Sequence, residues 1–529
     1  MAAAGVRLTY LRADVSAPAQ VRDAVARLRA EQGPITAVLH GAGRNEPRPL
    51  TALDEAGFQA TLAPKVAGLR AVLEAVDPSQ LRLLVTFGSI IGRAGLRGEA
   101  DYAVANDWLA ELTLEVGRRH PGCRCLALEW SVWSGTGMGD RLEVVESLVR
   151  EGITPITTRL GTRELRRILA DPRARGALVV TGRVRDVPTL ALEGAELPLL
   201  RFVEAPRVHY PGIELVADAE LTSIGDPYLR DHIFDGSPLL PAVLGMEAMA
   251  QAAAAVAGRT ETPVLQDVEF LRPVVVPPRG AAVIRIVALA ADDDTVDVAI
   301  RTAETGFHAD HFRARLRYGI ARPDAAPVET GELPAVPIEP SRDLYGGILF
   351  QGKRFQRLRR YRALAARRCE ATVSLEHAEP WFGMLLPHEV VLGDAGARDA
   401  VMHAIQCCVP DRTLLPVGIE RLYPGVSVHG DEVSVRAVER DRNGDTFTYD
   451  VDVRDERGEL VERWVGLRLR TVARRDVRQE WLPALLGPYL ERRLPEVAET
   501  VPLAVVVEPD PAHGERSASR RDQTALALS

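Results

Sequence analysis

Lysine is almost missing from this chain: of 65 basic residues only Lys65 and Lys353 are lysines, the rest being arginine. The bias reads as codon usage, but it marks each remaining lysine as worth a specific explanation. Cysteine is scarce too, at five (Cys123, Cys125, Cys369, Cys407 and Cys408), with neither zinc spacing nor an even disulfide framework. That pattern excludes a metal-ligating cysteine site and makes a reducing cytoplasm the expected home. No apolar run is long enough to span a bilayer and no secretory leader opens at Met1, so no membrane partner is expected. Excess positive charge is absent as well. A net charge of −8 and a pI near 5.9 argue against general nucleic-acid binding. At 529 residues and 46% hydrophobic content the chain exceeds one core and predicts two to four domains.

Residues 1 to about 186 alternate strand and helix. Strands are predicted at Val6–Tyr10, Ile35–His40, Leu81–Phe87 and Cys125–Trp130, and helices at Pro18–Gln32, around Pro64–Val76 and from Ala100. This rhythm predicts a parallel sheet with helices on both faces. Asp14-Val15 follows the first strand, His40-Gly41-Ala42-Gly43 the second and Ser89 the third, while Tyr102-Ala-Val-Ala-Asn106 begins thirteen residues beyond Ser89. With Lys65 in Ala63-Pro-Lys-Val-Ala-Gly68, and Glu129-Trp-Ser-Val-Trp-Ser-Gly-Thr136-Gly137-Met138, these residues resemble the ketoreductase domains of polyketide synthases, within the short-chain dehydrogenase fold. The resemblance implies hydride transfer from NADPH to a ketone. Tyr102 would protonate the alkoxide, Ser89 would hydrogen-bond its oxygen, Lys65 would lower the tyrosine pKa and Asn106 would hold a water relay. It places cofactor contacts at Asp14, Val15, Gly41 and Gly43. Nucleotide binding in this fold needs a Gly-rich turn after the first strand, and none precedes Asp14. The domain is therefore expected to be N-terminally truncated, Met1 being an internal start or a fragment boundary, and to bind NADPH weakly or not at all.

The most informative motifs lie further on. His232 opens His232-Ile-Phe-Asp-Gly236-Ser-Pro-Leu-Leu-Pro241, followed by an Ala- and Met-rich stretch to about Val256 that reads as a buried central helix. Asp399 opens Asp399-Ala-Val-Met-His403 on an otherwise apolar helix, where a carboxyl group needs a partner or a raised pKa. Four residues apart, Asp399 and His403 share a helix face, so His403 is positioned to orient the carboxyl group. Each motif has a plainer reading: a satisfied histidine near a helix start, or an aspartate that complements a helix dipole. In this order they resemble the active site of polyketide synthase dehydratase domains, in which two hotdog folds contribute one imidazole and one carboxyl group. Elimination of water from a β-hydroxyacyl thioester needs a base for the α-proton, here His232, and an acid for the departing hydroxyl, here Asp399. No metal or redox cofactor is required. The resemblance makes Gly236, Pro241, His403 and Tyr345 candidates for shaping the substrate site, and histidine at 403 stands where many dehydratases carry glutamine.

Alternating runs at Val264–Val276, Ala282–Ile300, His308–Tyr318, Arg367–Leu375, Val428–Arg440, Thr446–Arg454 and Leu460–Val472 predict antiparallel sheets. The expected fold class is thus an α/β Rossmann-like short-chain dehydrogenase portion plus an α+β double hotdog. Its divisions fall at 1–186, a linker 187–206, the dehydratase 207–475 and a C-terminal helix with a flexible tail 476–529. Arg322 to Pro340 reads as the connection between the two hotdog repeats. Tyr345-Gly-Gly-Ile-Leu-Phe-Gln-Gly352-Lys353-Arg-Phe355 resembles a dehydratase segment with Lys353 in place of the usual proline, leaving Tyr345 to bond substrate or to pack. Eight basic residues between Lys353 and Arg368 read either as a solvated strand face or as a docking surface for an acidic carrier protein. The segment Asp399–Leu422 and the order reductase then dehydratase are closest to iterative synthases of the enediyne type. Partners implied are an acyl carrier protein with its phosphopantetheine arm, the remaining synthase domains and a second copy in a homodimer. Rival readings are a hotdog thioesterase, in which a carboxylate activates water, and a non-catalytic scaffold.

Overall fold

The computed structural model of the chain describes residues 8–135, 154–183, 196–323, 336–376, 379–425, 428–475, 482–497, 505–508 and 525–528. The chain divides into two compact units, 1–191 and 192–529.

The first unit is built on four parallel strands, β1 (Ala37–His40), β2 (Leu83–Ser89), β3 (Arg124–Trp130) and β4 (Gly176–Val180), hydrogen-bonded in that order. Adjacent residues of a strand face opposite sides. Leu84 and Val85 accordingly belong to separate hydrophobic clusters, each fully buried, so both sheet faces are covered. The covering helices are α1 (Pro18–Gln32), α2 (Glu55–Leu62), α3 (Gly68–Ala75), α4 (Ala100–Arg119) and α5 (Thr158–Ala170). Asp54 caps α2 by accepting from the Gly57 amide, as its place before a helical run predicts. Two expectations change here. Residues 8–10 form no strand, Val6 lying outside the described residues, and the helix expected from Pro64 opens as a π-helical turn, Ala63–Ala67, before continuing as α3. Thr136, Gly137 and Met138 also fall outside the described residues.

The second unit wraps antiparallel strands around two helices, α6 (Ala242–Ala257) and α7 (Ala395–Gln406). A helix apolar on every side must be buried on every side, and in α6 Leu244, Met246, Ala248, Met249, Ala250 and Ala252 have no exposed surface. Gly245 is required there, because a Cβ would stand 2.3 Å from the Phe312 ring. Around α6 run β5 (Ala205–Tyr210), β6 (Glu214–Thr222), β7 (Val264–Phe270), β8 (Ala281–Asp292), β9 (Thr295–Thr302) and β10 (Asp310–Arg317). Around α7 run β11 (Leu358–Leu364), β12 (Arg368–Ser374), β13 (Arg412–Tyr423), β14 (Glu432–Asn443), β15 (Thr446–Arg454) and β16 (Leu460–Arg474). Each half is a hotdog, and β7 pairs with β13 from Leu265↔Leu422 to Glu269↔Gly418, joining both halves into one twelve-stranded sheet.

Several boundaries differ from the periodicity. The strand expected over Val264–Val276 stops at Phe270, before Pro273, Pro277 and Pro278, which lack ladder donors. The run Ala282–Ile300 is a hairpin that turns after Asp292. β13 was not legible as a strand because it contains Pro416; the ladder with β16 shifts register there, between Pro416 and Gly418. The linker expected over 187–206 ends early. Residues 187–195 lie outside the described residues, but Leu200, Phe202 and Val203 are buried in the second unit's core and β5 begins at Ala205. Residues 324–335 of the expected inter-repeat connection also lie outside. The predicted C-terminal helix is present as α8 (Pro483–Val497); of the tail from Asp510, only 525–528 are described, paired with Val505–Glu508.

Candidate active site

The sequence after His232 forces a tight reversal. Ile233-Phe234 pairs with Ser237-Pro238 across Asp235 (φ 48°) and Gly236 (φ 75°), both left-handed, which suits glycine at the second position. The reversal brings the chain back so that the Leu239 amide donates to the His232 carbonyl at 3.0 Å, while His232 Nδ1 lies 3.1 Å from the Leu239 carbonyl oxygen. A carbonyl only accepts, so Nδ1 carries the proton and Nε2 is left as an acceptor. The Phe350 and Phe355 rings flank the imidazole at 5.1 and 5.6 Å. Burial holds the His232 pKa below its ordinary value, outweighing the opposing pull of Asp399. Gly236 and Pro241 do not line the cavity described next; they shape the backbone, Pro241 as the extended residue preceding α6.

Helix α7 begins earlier than its motif suggests. Its cap is Asp394, which accepts from the Gly396 and Ala397 amides, so Asp399 sits beyond the first turn and is not the residue that caps the helix. The Asp399 side chain is only 4% exposed and lies 2.9 Å, through Oδ2, from His403 Nε2. His403 Nδ1 in turn meets the Tyr345 hydroxyl at 3.2 Å, and that hydroxyl also accepts from the Leu358 amide and reaches the Phe355 carbonyl. Tyr345 therefore stands behind His403, its hydroxyl engaged, and outside the cavity lining. The chain Tyr345–His403–Asp399 accommodates both protonation states of the aspartate. When Tyr345 donates to Phe355, Nδ1–H can donate to Tyr345 and Nε2 can accept from a protonated Asp399. When Tyr345 donates to Nδ1, Nε2–H can donate to a carboxylate.

His232, Asp399 and His403 converge on one cavity of about 330 Å³, walled largely by apolar side chains including Leu240, Phe270, Phe312, Met402 and Leu414. Two exposed arginines, Arg272 and Arg470, also line it, and neither guanidinium has a hydrogen-bond or ion-pair partner among the described residues. Sequence reading missed these two, since nothing local separates them from other arginines. It instead proposed the run from Lys353 to Arg368 as a possible surface. In the structure Arg357 is buried, Arg354 pairs with Asp231 and Glu379, and Arg360 pairs with Glu432, so the run is no uniform cationic face.

In the first unit Lys65, Tyr102 and Asn106 are buried close together, and Ser89 closes β2. Lys65 donates to the Phe87 carbonyl at 3.1 Å and stands 5.6 Å from the Tyr102 ring centroid. Asn106 Nδ2 donates to the Tyr102 carbonyl, leaving Oδ1 buried and without a partner among the described residues, an acceptor that suits a bound water. Ser89 Oγ accepts from the Ile91 amide. The expected depression of the tyrosine pKa is not what this arrangement produces. Burial pushes Tyr102 up to about 12, and burial also brings Lys65 down to about 8. Of the proposed cofactor contacts, Gly41 and Gly43 are exposed just past β1 and Asp14 is exposed, its carboxylate accepting from the Ser16 amide. Val15 packs beside Gly68, where a Cβ would lie 3.0 Å away.

Residues 1–135 match the family described as KR domain, residues 206–303 that described as polyketide synthase dehydratase domain, and residues 323–479 that described as polyketide synthase dehydratase N-terminal domain. Polyketide synthase GfsA of Streptomyces halstedii is 33% identical over 165 residues, covering 31% of this chain and 2% of that protein. Polyketide synthase ThaG of Burkholderia thailandensis is 29% identical over 200 residues, covering 37% and 4%. The chain thus spans a small part of the relatives it matches. Among solved structures, the dehydratase domain from the CurF module of curacin polyketide synthase is 18% identical, with 52% of this chain and all of that one covered and a TM-score of 0.43. The dehydratase domain of a mycocerosic acid synthase-like polyketide synthase is 18% identical, covers 53% and 98%, and has a TM-score of 0.41. Three family models, each spanning less than half of the chain, thus line up along it as a KR domain followed by polyketide synthase dehydratase domains.

Proposed function

We propose that the second unit removes water from a β-hydroxyacyl thioester carried on a phosphopantetheine arm, giving the α,β-unsaturated thioester. The observation that carries this reading is the facing of a neutral imidazole with an available Nε2 and a buried carboxyl group into one largely apolar cavity. His232 Nε2 takes the α-proton, the C–H electron pair becomes the Cα=Cβ bond, and the β C–O bond breaks as Asp399 protonates the departing hydroxyl to water. The imidazolium proton then returns to Asp399 through solvent, closing the cycle. The first unit would supply the hydroxyl by reducing a ketone with NADPH, Asp14, Val15, Gly41 and Gly43 holding part of the cofactor. The setting is an iterative synthase of the enediyne type, working as a cytoplasmic homodimer with its carrier and remaining domains. No described helix is long and apolar enough to cross a membrane.

Incubating the chain with a β-hydroxyacyl phosphopantetheine thioester and separating products tests the reading: enoyl thioester supports it, whereas free acid would favour a thioesterase. Arg272 and Arg470 support an arm that bears a phosphate. Replacing both by alanine should raise KM for the phosphopantetheine thioester about tenfold and leave KM for the phosphate-free pantetheine thioester within about twofold, a charge-assisted contact being worth about 1.5 kcal/mol or more. Equal changes for the two substrates would remove the arginines from this role.

A further inference from the structure

We infer that Arg354 is a positioning residue for His232: its ion pair with Asp231 seats the base in the cavity wall from the opposite half of the double hotdog. The inference rests on the dehydration reading and deepens it. Asp231 immediately precedes His232 and ends the 3-10 turn Pro227–Asp231, whereas Arg354 lies on the 3-10 turn Lys353–Phe355, between the two hotdog halves' principal helices in sequence. The guanidinium pairs through Nη1 with the Asp231 carboxylate and through Nη2 with Glu379 at 2.9 Å, and Nε donates to the Pro380 carbonyl at 3.1 Å. The Arg354 and Asp231 side chains are 12% and 17% exposed, so the pair is shielded from the solvent screening that weakens surface ion pairs.

Two further fastenings run beside it. The Gly352 amide donates to the Asp231 carbonyl at 2.7 Å, an approach so close that a Cβ at 352 would lie 2.9 Å from Asp231 Cα and 2.4 Å from Oδ1. The residue after Arg354 is Phe355, whose ring flanks the imidazole. A backbone bond, an ion pair and a ring therefore lead from one short stretch, Gly352 to Phe355, to the residue pair Asp231-His232. Neither Asp231 nor Arg354 lines the cavity, so neither touches substrate. Their effect must pass through His232. No local pattern in the sequence connects Arg354 to Asp231, 123 positions earlier.

The test uses the full chain and the β-hydroxyacyl phosphopantetheine thioester. Arg354→Ala and Asp231→Asn should each lower kcat about ten- to a hundredfold, as misplacement of a reacting group does, with KM within about twofold. Arg354→Lys should recover most of the loss, and the double variant should be no slower than the worse single one, because both act through one contact. Unchanged kcat in Arg354→Ala, or Arg354→Lys as slow as alanine, would overturn the inference. A second measurement needs no turnover: modification of His232 by diethyl pyrocarbonate, followed by mass spectrometry, should speed up about tenfold in Arg354→Ala. Unaltered reactivity would also overturn the clamp. Faster modification in a chain whose wild type releases no water would uphold the clamp and sink the dehydration reading alone.

Discussion

His232→Ala should lower kcat for water loss by about 10²–10⁴-fold, the usual contribution of a positioned general base. The substitution removes Nε2, the acceptor for the α-proton, and leaves the Leu239 carbonyl without its side-chain donor. The backbone bond from the Leu239 amide to the residue 232 carbonyl remains, so the turn and helix α6 should persist, and unchanged secondary structure by circular dichroism would check this. The wild-type pH profile carries a second mark of the same group. A base must be unprotonated to act, and burial holds the His232 pKa below 6.5, so the neutral form survives to lower pH than in a free histidine. The acidic limb of kcat/KM should therefore fall below pH 6.5 and disappear from the residual activity of His232→Ala. Product formation at the wild-type rate by that variant would instead favour the scaffold reading.

Asp399→Asn should cost a comparable factor, about 10²–10⁴ in kcat with little change in KM, because the amide keeps the size of the carboxyl group but cannot hand a proton to the leaving hydroxyl. The two variants are separable by isotope exchange. In D₂O, Asp399→Asn retains the base and should still exchange the substrate α-proton without releasing water, while His232→Ala should do neither. Exchange surviving in His232→Ala and lost in Asp399→Asn would reverse the two roles. The asparagine can still bond His403 Nε2, so any loss is not attributable to a disrupted contact between α7 and Tyr345. A thioesterase would respond differently: with Asp399 as the base for water, His232→Ala would leave hydrolysis to free acid largely intact.

Much of the fold was legible because it depends on short-range patterns. The apolar composition of α6 on all its faces announced a buried helix, and the period-two runs at Thr446–Arg454 and Leu460–Val472 announced strands, the second of which continues to Arg474. Of the strands that escaped notice, β6 lacks a strict period-two alternation, its residues Leu215 to Ala219 all being buried, while β5 and β13 carry a proline (Pro206, Pro416) and β11 three arginines, so local composition disguised them. Charge misled for the same reason. Arg357 reads as surface, yet it is 4% exposed, its Nε donating to the Arg354 carbonyl.

By itself the sequence determined which residue types stand at which spacing: an imidazole before a glycine turn and a buried helix, an aspartate four residues from a histidine, and a lysine, serine, tyrosine and asparagine along a parallel α/β rhythm. These are properties of neighbours on one strand, turn or helix, where backbone geometry sets the distance. Only the tertiary structure decided that His232 and Asp399 face one cavity, that Leu239 sets the imidazole tautomer, that Tyr345 backs His403, and that Arg354 reaches Asp231. Apart from the His232–Leu239 reversal, those contacts join segments from separate halves or distant turns. They depend on the register at the seam between β7 and β13 and on how the sheet curves around its two helices, and no local pattern encodes either.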